Sequence, residues 1–154
     1  MKIYLIVFIF ILIGCTKEQI TTYTAYLSNK SNHSIVIRPY FNGIVPTEKI
    51  ISLALNDSFQ IANGSDRGIV NNAGFNSNFL SGSDSIVVTF DNQYKITHYF
   101  NQPVNLASKY YLINSNRNLY NKDNYLYTYQ DASKNRRESN YLYKFIQQDY
   151  LDSH

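Results

Sequence analysis

Apolar and polar side chains alternate with a period of two in two neighbouring segments, and this pattern constrains the fold more than any other feature. The segments are Asp84–Phe90 and Gln93–Phe100, with Asp91-Asn92 between them as a turn dipeptide. Successive side chains of a β-strand point to opposite faces, so the pattern predicts a hairpin with one buried face. An amphipathic helix would instead repeat its apolar residues every three to four positions, and we find no such stretch of useful length.

Further short segments of the same kind recur along the chain, separated by Asn, Gly, Ser and Pro. The additional strand candidates are Thr22–Leu27, Ser34–Tyr40, Lys49–Leu55, Ser58–Ala62, Tyr125–Gln130 and Tyr141–Ile146. Short strands with turn signals between them are typical of all-β domains. We therefore expect an all-β fold, an antiparallel β-sandwich (immunoglobulin-like or related) of about 7–9 short strands.

The segments between these strands predict other local structure. Residues 63–82 are rich in Asn, Gly and Ser, which predicts a long loop that its few apolar residues pin in place or turn into a short edge strand. Residues 104–124 are polar and irregular, with a turn of helix expected near Ser108–Leu112. The charged run Asp131–Glu138 predicts an exposed loop, and Gln147–Ser153 predicts a closing helical turn.

The first residues of the chain form a short basic start followed by an apolar run. Lys2 precedes Ile3–Ile13, which is 11 apolar residues long. A membrane-spanning helix needs about 20 such residues, so the run predicts the helical apolar region of a signal peptide. It closes at Gly14-Cys15, after which the chain becomes polar.

The four residues Leu12-Ile13-Gly14-Cys15 resemble a bacterial lipobox, which consists of an aliphatic residue, a small or aliphatic residue, Gly, Ala or Ser, and then Cys. The resemblance implies cleavage between Gly14 and Cys15 and acylation at Cys15, with palmitate-type chains holding the protein on a membrane. It divides the chain into a signal peptide at 1–14, a lipidated tether at 15–22 and a single β-sandwich domain at 23–154. Cys15 is the only cysteine, so no disulfide can form within the chain.

The chain as a whole is similar to small envelope lipoproteins of Bacteroidetes-type bacteria. The similarity rests on the lipobox, the Asn- and Tyr-rich β domain and the segments Asp84–Phe90, Ile96–Tyr99, Arg117–Asn121 and Tyr143–Tyr150. It implies a lipid anchor in the cell envelope, in the outer membrane, with the domain facing either the periplasm or the cell surface. Asp84-Ser85-Ile86 also resembles the O-glycosylation sites of such bacteria. The similarity supplies no catalytic residues.

Residue patterns that would carry catalysis are sparse. The three histidines, His33, His98 and His154, lack the close spacings of a metal site. The alternation around His98 predicts a core or sheet-surface imidazole. His33 follows Asn32 in a predicted turn, where we expect a solvated side chain. No Gly-x-Ser-x-Gly nucleophile motif is present. We expect no catalytic residue, metal or cofactor, and a net charge of only +3 does not favour nucleic acid as a partner.

The 15 tyrosines and many asparagines are the remaining lead to a function. Tyr rings can stack on sugar faces while amide groups bond hydroxyls. The possible ligand face consists of the exposed members of Tyr125, Tyr127, Tyr129, Tyr141 and Tyr143, with Asn121, Asn124 and Asn140. The alternative is that the rings only stabilise the sheet. Two functions follow: an envelope lipoprotein whose β domain contacts a protein or wall component, or an accessory lipoprotein that binds a glycan or small ligand.

Overall fold

The structure, a computed structural model, describes residues 18–69 and 81–154. Within these ranges the chain forms nine strands in two packed sheets and one short α-helix. The elements are β1 (Ile20–Asn29), β2 (Ile35–Tyr40), β3 (Ile51–Leu53), β4 (Ser58–Arg67), β5 (Ser85–Phe90), β6 (Tyr94–Tyr99), β7 (Tyr110–Tyr111), β8 (Leu126–Ser133), β9 (Arg136–Phe145) and α1 (Gln147–Asp152). The prediction of an all-β sandwich is confirmed.

The first sheet has the strand order β4-β1-β9-β8. β1 pairs antiparallel with β4 on one side and parallel with β9 on the other. The parallel pair differs from the antiparallel arrangement that the sequence predicted. A hairpin turn joins two strands that are neighbours in the chain and makes them antiparallel. β1 and β9 are the first and last strands, and the long stretch of chain between them allows them to lie side by side in the same direction.

The second sheet has the strand order β3-β2-β5-β6-β7. Its β5–β6 hairpin confirms the prediction made from the alternating pattern, with Phe90 opposite Tyr94 beside the turn. Residues 91–93 connect the two strands. Asp91 (φ 49°) and Asn92 (φ 57°) are the central residues of a turn that the Gln93 N–H closes on the Phe90 carbonyl at 2.9 Å, and positive φ at both positions matches the twist of a hairpin. A helical turn was predicted where β7 lies. Instead, Tyr110 and Tyr111 pair parallel with Thr97 and His98 of β6, and this pairing holds their backbone in an extended form.

The core lies between the two sheets and follows the alternation of their strands. Inward side chains of β1 and β9 meet inward side chains of β2, β5 and β6 in one apolar cluster. Its fully buried members include Ala25, Leu27, Ile35, Ile37, Ile86, Val88, Phe90, Ile96, Tyr141, Tyr143 and Phe145. With one cysteine in the chain no internal disulfide can form, so the fold is held together by this core.

Three strands extend into segments where the sequence predicted loops. β4 continues through Asn63 and Gly64 to Arg67, because β1 pairs with it as far as Ile20 opposite Arg67. β8 and β9 run into the charged segment Asp131–Glu138 and leave only Lys134-Asn135 as the turn. A neighbouring strand satisfies backbone N–H and C=O groups whatever the side chains are, so pairing outweighs local preference.

The boundaries at the N-terminus change in the same way. β1 begins at Ile20, so residues 20–22, which the sequence assigned to the tether, lie in the sheet. Gly14, Cys15 and the rest of the leader lie outside the described residues, as does the 70–80 part of the predicted loop. The closing helical turn is present as α1.

Candidate functional site: an aromatic extension of the first sheet

Three of the five tyrosines in the predicted ligand face are part of the core. Tyr125, Tyr141 and Tyr143 have exposed fractions of 5%, 1% and 0%. Tyr125 and Tyr143 pack edge to face with ring centroids 5.4 Å apart, and the Tyr125 hydroxyl donates to the Leu119 carbonyl at 2.9 Å. These rings present no face to solvent, so for them the alternative of sheet packing holds.

Tyr127 and Tyr129 differ, although they share a face with these core rings. Pairing of β8 with β9 sets Tyr127 opposite Tyr141 and Tyr129 opposite Ser139. Both rings therefore lie on the core-facing side of the first sheet, yet Tyr129 is 55% exposed and Tyr127 half-buried. The strands of the first sheet reach 10 residues and those of the second only 6, so this end of the face continues beyond the opposing sheet.

Arg137 on β9 is held in place at this end. Its guanidinium lies 4.3 Å from the centroid of the Tyr129 ring. Its Nε and Nη2 atoms donate to the two carboxylate oxygens of Asp131 at 2.7 and 3.2 Å. This two-pronged bond lowers the pKa of Asp131 and raises that of Arg137, so both side chains remain charged at neutral pH. The result is a positioned planar cation stacked on an aromatic ring.

Tyr23 of β1 adds a third ring to the same side of the sheet, because it is paired with Ser139 of β9. Its ring lies across β4 at Gly64, where an added Cβ would come within 2.6 Å of the ring atom Cζ. Only glycine leaves room for this arrangement. We call Tyr23, Tyr127, Tyr129 and Arg137 the aromatic extension.

An open cleft of about 370 Å³ adjoins the aromatic extension at the tip of the β8–β9 hairpin. It is lined by Ile69, Asp131, Ser133, Lys134 and Arg137. Its size is at the lower end of the range for small-molecule sites, roughly 300–1,000 Å³. The lining combines two cations, one carboxylate, a hydroxyl and an aliphatic wall, which suits a polar ligand with hydroxyl or acidic groups.

The asparagines of the predicted ligand face have other roles. The Asn121 side chain accepts from the Asp123 backbone N–H at 3.0 Å and caps a 3₁₀ turn at Lys122–Asn124. The Asn124 amide donates to the carbonyls of Ser115 and Asn118. Asn140 is exposed, and it lies on the other face of the first sheet from Tyr127. None of the three therefore joins the aromatic extension.

A second cluster brings together residues that the sequence analysis did not connect. His33 Nδ1 lies 2.6 Å from Asp91 Oδ2, and the His33 ring stacks on Tyr150 of α1 with centroids 3.4 Å apart. The hydrogen bond from His33 lowers the pKa of Asp91. His154 stacks on Tyr94 at 3.6 Å in the same cluster. His33 is thus a packed side chain that attaches α1 to the second sheet, not the solvated turn residue predicted.

A buried polar network holds the segment between β7 and β8. His98 is 1% exposed, and its Nδ1 accepts from the Leu119 backbone N–H at 3.1 Å. Burial, with a smaller effect from the Arg117 guanidinium, lowers the pKa of His98 to about 3. Arg117 donates to both carboxylate oxygens of the buried Asp149, at 2.8 and 2.5 Å. The prediction of a core imidazole at His98 therefore holds.

Three further features of the described residues concern glycosylation, metal binding and membrane spanning. Ser85, the candidate glycosylation residue, lies in β5 between paired strands, opposite Tyr40 on one side and Tyr99 on the other. In residues 18–69 and 81–154 no group of three or more His, Cys, Asp or Glu side chains could hold a metal ion. Nor does this part of the chain contain a helix long and apolar enough to cross a membrane.

Comparison with known proteins adds no relative. The chain matches no protein-family model, no curated protein and no solved structure at a significant level.

Proposed function

We propose that this chain is a membrane-anchored lipoprotein of the cell envelope, and that its β-sandwich is a non-catalytic domain that contacts an envelope protein or a wall component. The observation that carries the binding role is the aromatic extension, where Tyr129 and Arg137 are held in a fixed arrangement on the accessible end of a core-facing sheet surface. The lipobox around Cys15 supports the anchor.

The composition of the aromatic extension favours a binding role. Tyr and Arg are enriched among the residues that contribute most to protein interfaces, because each combines a large contact area with a directional polar group. Asp131 holds the Arg137 guanidinium before a partner arrives, so little side-chain entropy remains to be lost on binding. We expect the partner to present an acidic or aromatic group to this pair.

The alternative function is binding of a glycan or another small ligand. The observation that favours it is the stacked pair Tyr127 and Tyr129, with ring centroids 6.0 Å apart, beside a cleft with charged and hydroxyl groups. Aromatic faces and polar side chains of this kind can bind a sugar by stacking and hydrogen bonding. Titration with cell-wall glycan fragments, followed by Tyr fluorescence, tests this alternative because the chain has no Trp.

Site-specific photo-crosslinking in living cells tests the binding role. A photoreactive phenylalanine replaces Tyr129 in one protein and Asn140 in a control protein, since Asn140 is exposed on the opposite side of the same sheet. We expect position 129 to give one discrete adduct with a different protein, distinguished by its mass from a dimer of this chain, and position 140 to give none. Equal labelling from both positions, or none from position 129 together with no glycan response, would contradict the proposal.

Metabolic labelling with a clickable fatty acid tests the anchor separately. Wild-type protein and a Thr16→Ser control are expected to incorporate the label and to be processed. Cys15→Ser is expected to remain an unlabelled precursor, because it lacks the thiol that receives the lipid. A mature wild-type protein without an acyl adduct in its mass spectrum would overturn the anchor but leave the binding test intact.

Protease digestion of intact cells and of lysed cells then locates the domain. Cleavage in intact cells would place it on the cell surface, where capture of a glycan or external ligand is the stronger function. Protection until lysis would place it in the periplasm and favour an envelope protein as the partner.

A further inference from the structure

The four edges of the two sheets differ in how well they are protected against pairing with another strand. β3 and β7 have only 3 and 2 residues, and short edge strands offer few unpaired backbone groups. β4 is long, but its pairing with β1 is irregular at Ala25/Tyr26 and its exposed end carries Asp66 and Arg67. β8 has 8 residues, and in the described ranges β9 is its only neighbouring strand.

The first five residues of β8 lack the usual protection of an edge. They read Leu126-Tyr127-Thr128-Tyr129-Gln130, without a charged residue, proline or glycine. Natural edge strands are commonly blocked by Lys, Pro or a bulge. In β8 such features begin only at Asp131, where the pairing with β9 also shifts register. Leu126 and Tyr129 are more than half exposed on this edge.

We infer that β8 pairs antiparallel with β8 of a second copy of this chain, with Thr128 on the two-fold axis, so that two first sheets form one continuous sheet. Outward-pointing backbone groups alternate along a strand. Two residues that face each other across a symmetric pair must therefore both have even numbers or both have odd numbers. The two-fold axis then passes through a residue and not between two residues. An axis at Thr128 places Tyr127 opposite Tyr129 of the second copy and Leu126 opposite Gln130.

This register is self-complementary, which is why a second copy fits better than an unrelated strand. Two symmetry-related pairs of Tyr rings face each other, and aromatic cross-strand pairs stabilise antiparallel sheets. The five paired residues contain no charge, so no like charges meet. An axis at Tyr129 would instead place Tyr127 opposite Asp131, and it would bring the disturbed end of β8 into the ladder.

The inference does not depend on the lipid anchor or on the ligand of the aromatic extension. It does add a consequence for that site, because pairing at β8 would bring the Tyr127 and Tyr129 rings of the two copies together along one sheet face. A dimer would then present a face twice as long as that of one chain.

Disulfide trapping in full-length protein tests the pairing. The background is Cys15→Ser, which removes the only native thiol. Thr128→Cys is compared with Asn140→Cys, its exposed cross-strand neighbour on β9. Directly opposed residues of an antiparallel pair have Cα atoms about 4.5–5.5 Å apart, within disulfide range. The two copies of position 140 would be three strand spacings apart, roughly 14 Å, which is too far.

Mild oxidation of the detergent-solubilised proteins should give a covalent dimer from Thr128→Cys and monomer from Asn140→Cys. Equal yields from the two variants, or trapping of position 128 to a different protein in cell membranes, would overturn the inference. Failure of acylation at Cys15 would not affect this result, because the background already lacks that residue.

Sedimentation of the protein without engineered cysteines provides the second measurement. Thr128→Lys is expected to weaken the dimer severalfold, because two like charges would lie directly opposite each other on the axis. Asn140→Lys adds the same charge one strand away and should leave the dimer intact. A wild-type chain that sediments as a monomer up to its solubility limit would exclude the second copy as the partner of β8.

Discussion

The buried imidazole of His98 makes the stability of this domain depend on pH in a way that can be calculated. Burial lowers the pKa of His98 from 6.5 to about 3 in the folded state. Between these values the unfolded chain binds a proton at His98 and the folded chain does not. The unfolded state therefore gains stability as the pH falls through this window, and the free energy of unfolding decreases.

The size of the His98 effect follows from the width of this window. Each pH unit below 6.5 is equivalent to about 1.36 kcal/mol, so the loss is about 1 kcal/mol at pH 5.5 and about 3 kcal/mol at pH 4.5. Typical domains have a total stability of about 5–15 kcal/mol, so this single side chain can account for a large part of any acid sensitivity.

His98→Asn isolates this contribution. Asn retains a side-chain acceptor for the Leu119 backbone N–H but cannot bind a proton in this range. At pH 7 the variant should be less stable by about 1–3 kcal/mol, because the packing of the larger ring is lost. At pH 4.5 it should be as stable as the wild type or more stable, since it avoids the loss of about 3 kcal/mol.

Urea unfolding followed by Tyr fluorescence and circular dichroism at about pH 7, 5.5 and 4.5 measures these free energies. The quantity of interest is the difference between variant and wild type, because contributions of other titrating groups cancel in it. Ile96→Val, a non-titrating core change in the same strand, should give a difference that is independent of pH. A His98→Asn difference that also stays constant with pH would refute the assignment of a depressed pKa to this imidazole.

Two further predictions concern packing and charge, and the same urea measurements check them. Arg117→Ala should cost about 3–5 kcal/mol because it leaves the Asp149 carboxylate buried without the cation that neutralises it, whereas Arg136→Ala, in an exposed ion pair, should cost at most about 1 kcal/mol. Equal losses would contradict the buried network. Gly64→Ala should cost about 1–3 kcal/mol because the new Cβ displaces the Tyr23 ring. In a Tyr23→Ala background that cost should largely disappear, and strictly additive effects would argue against the contact.

The sequence predicted the local elements well where the side-chain pattern was strong. The hairpin of β5 and β6 agrees with the prediction to within one residue at each end, because alternation and an Asp-Asn turn act locally. The closing helix α1 was also predicted. The strand extensions of β4, β8 and β9 were missed, since their residues prefer loops and only the neighbouring strands hold them in the sheet.

For the predicted ligand face, the sequence could not show which of its tyrosines are exposed. Period-two alternation correctly placed Tyr125, Tyr127 and Tyr129 on one side, but alternation identifies a face without showing what covers it. Tyr125 is buried against Tyr143 and the Leu119 segment, whereas Tyr129 lies at the end of the face that the shorter strands of the second sheet leave exposed. Likewise, nothing in the local pattern connects His33 with Asp91, which is 58 residues away, or either of them with Tyr150.

Sequence alone thus determined the all-β class, the central hairpin, the absence of an internal disulfide and the expectation of a lipid anchor at Cys15. These depend on residue type and on spacing between near neighbours. The tertiary structure decided which rings are core and which form the aromatic extension, where Arg137 is held, and that β8, among the described strands, is the edge without blocking residues over its first five positions. Those properties depend on strand order and on the relative lengths of the two sheets, and both arise from contacts between residues far apart in the chain.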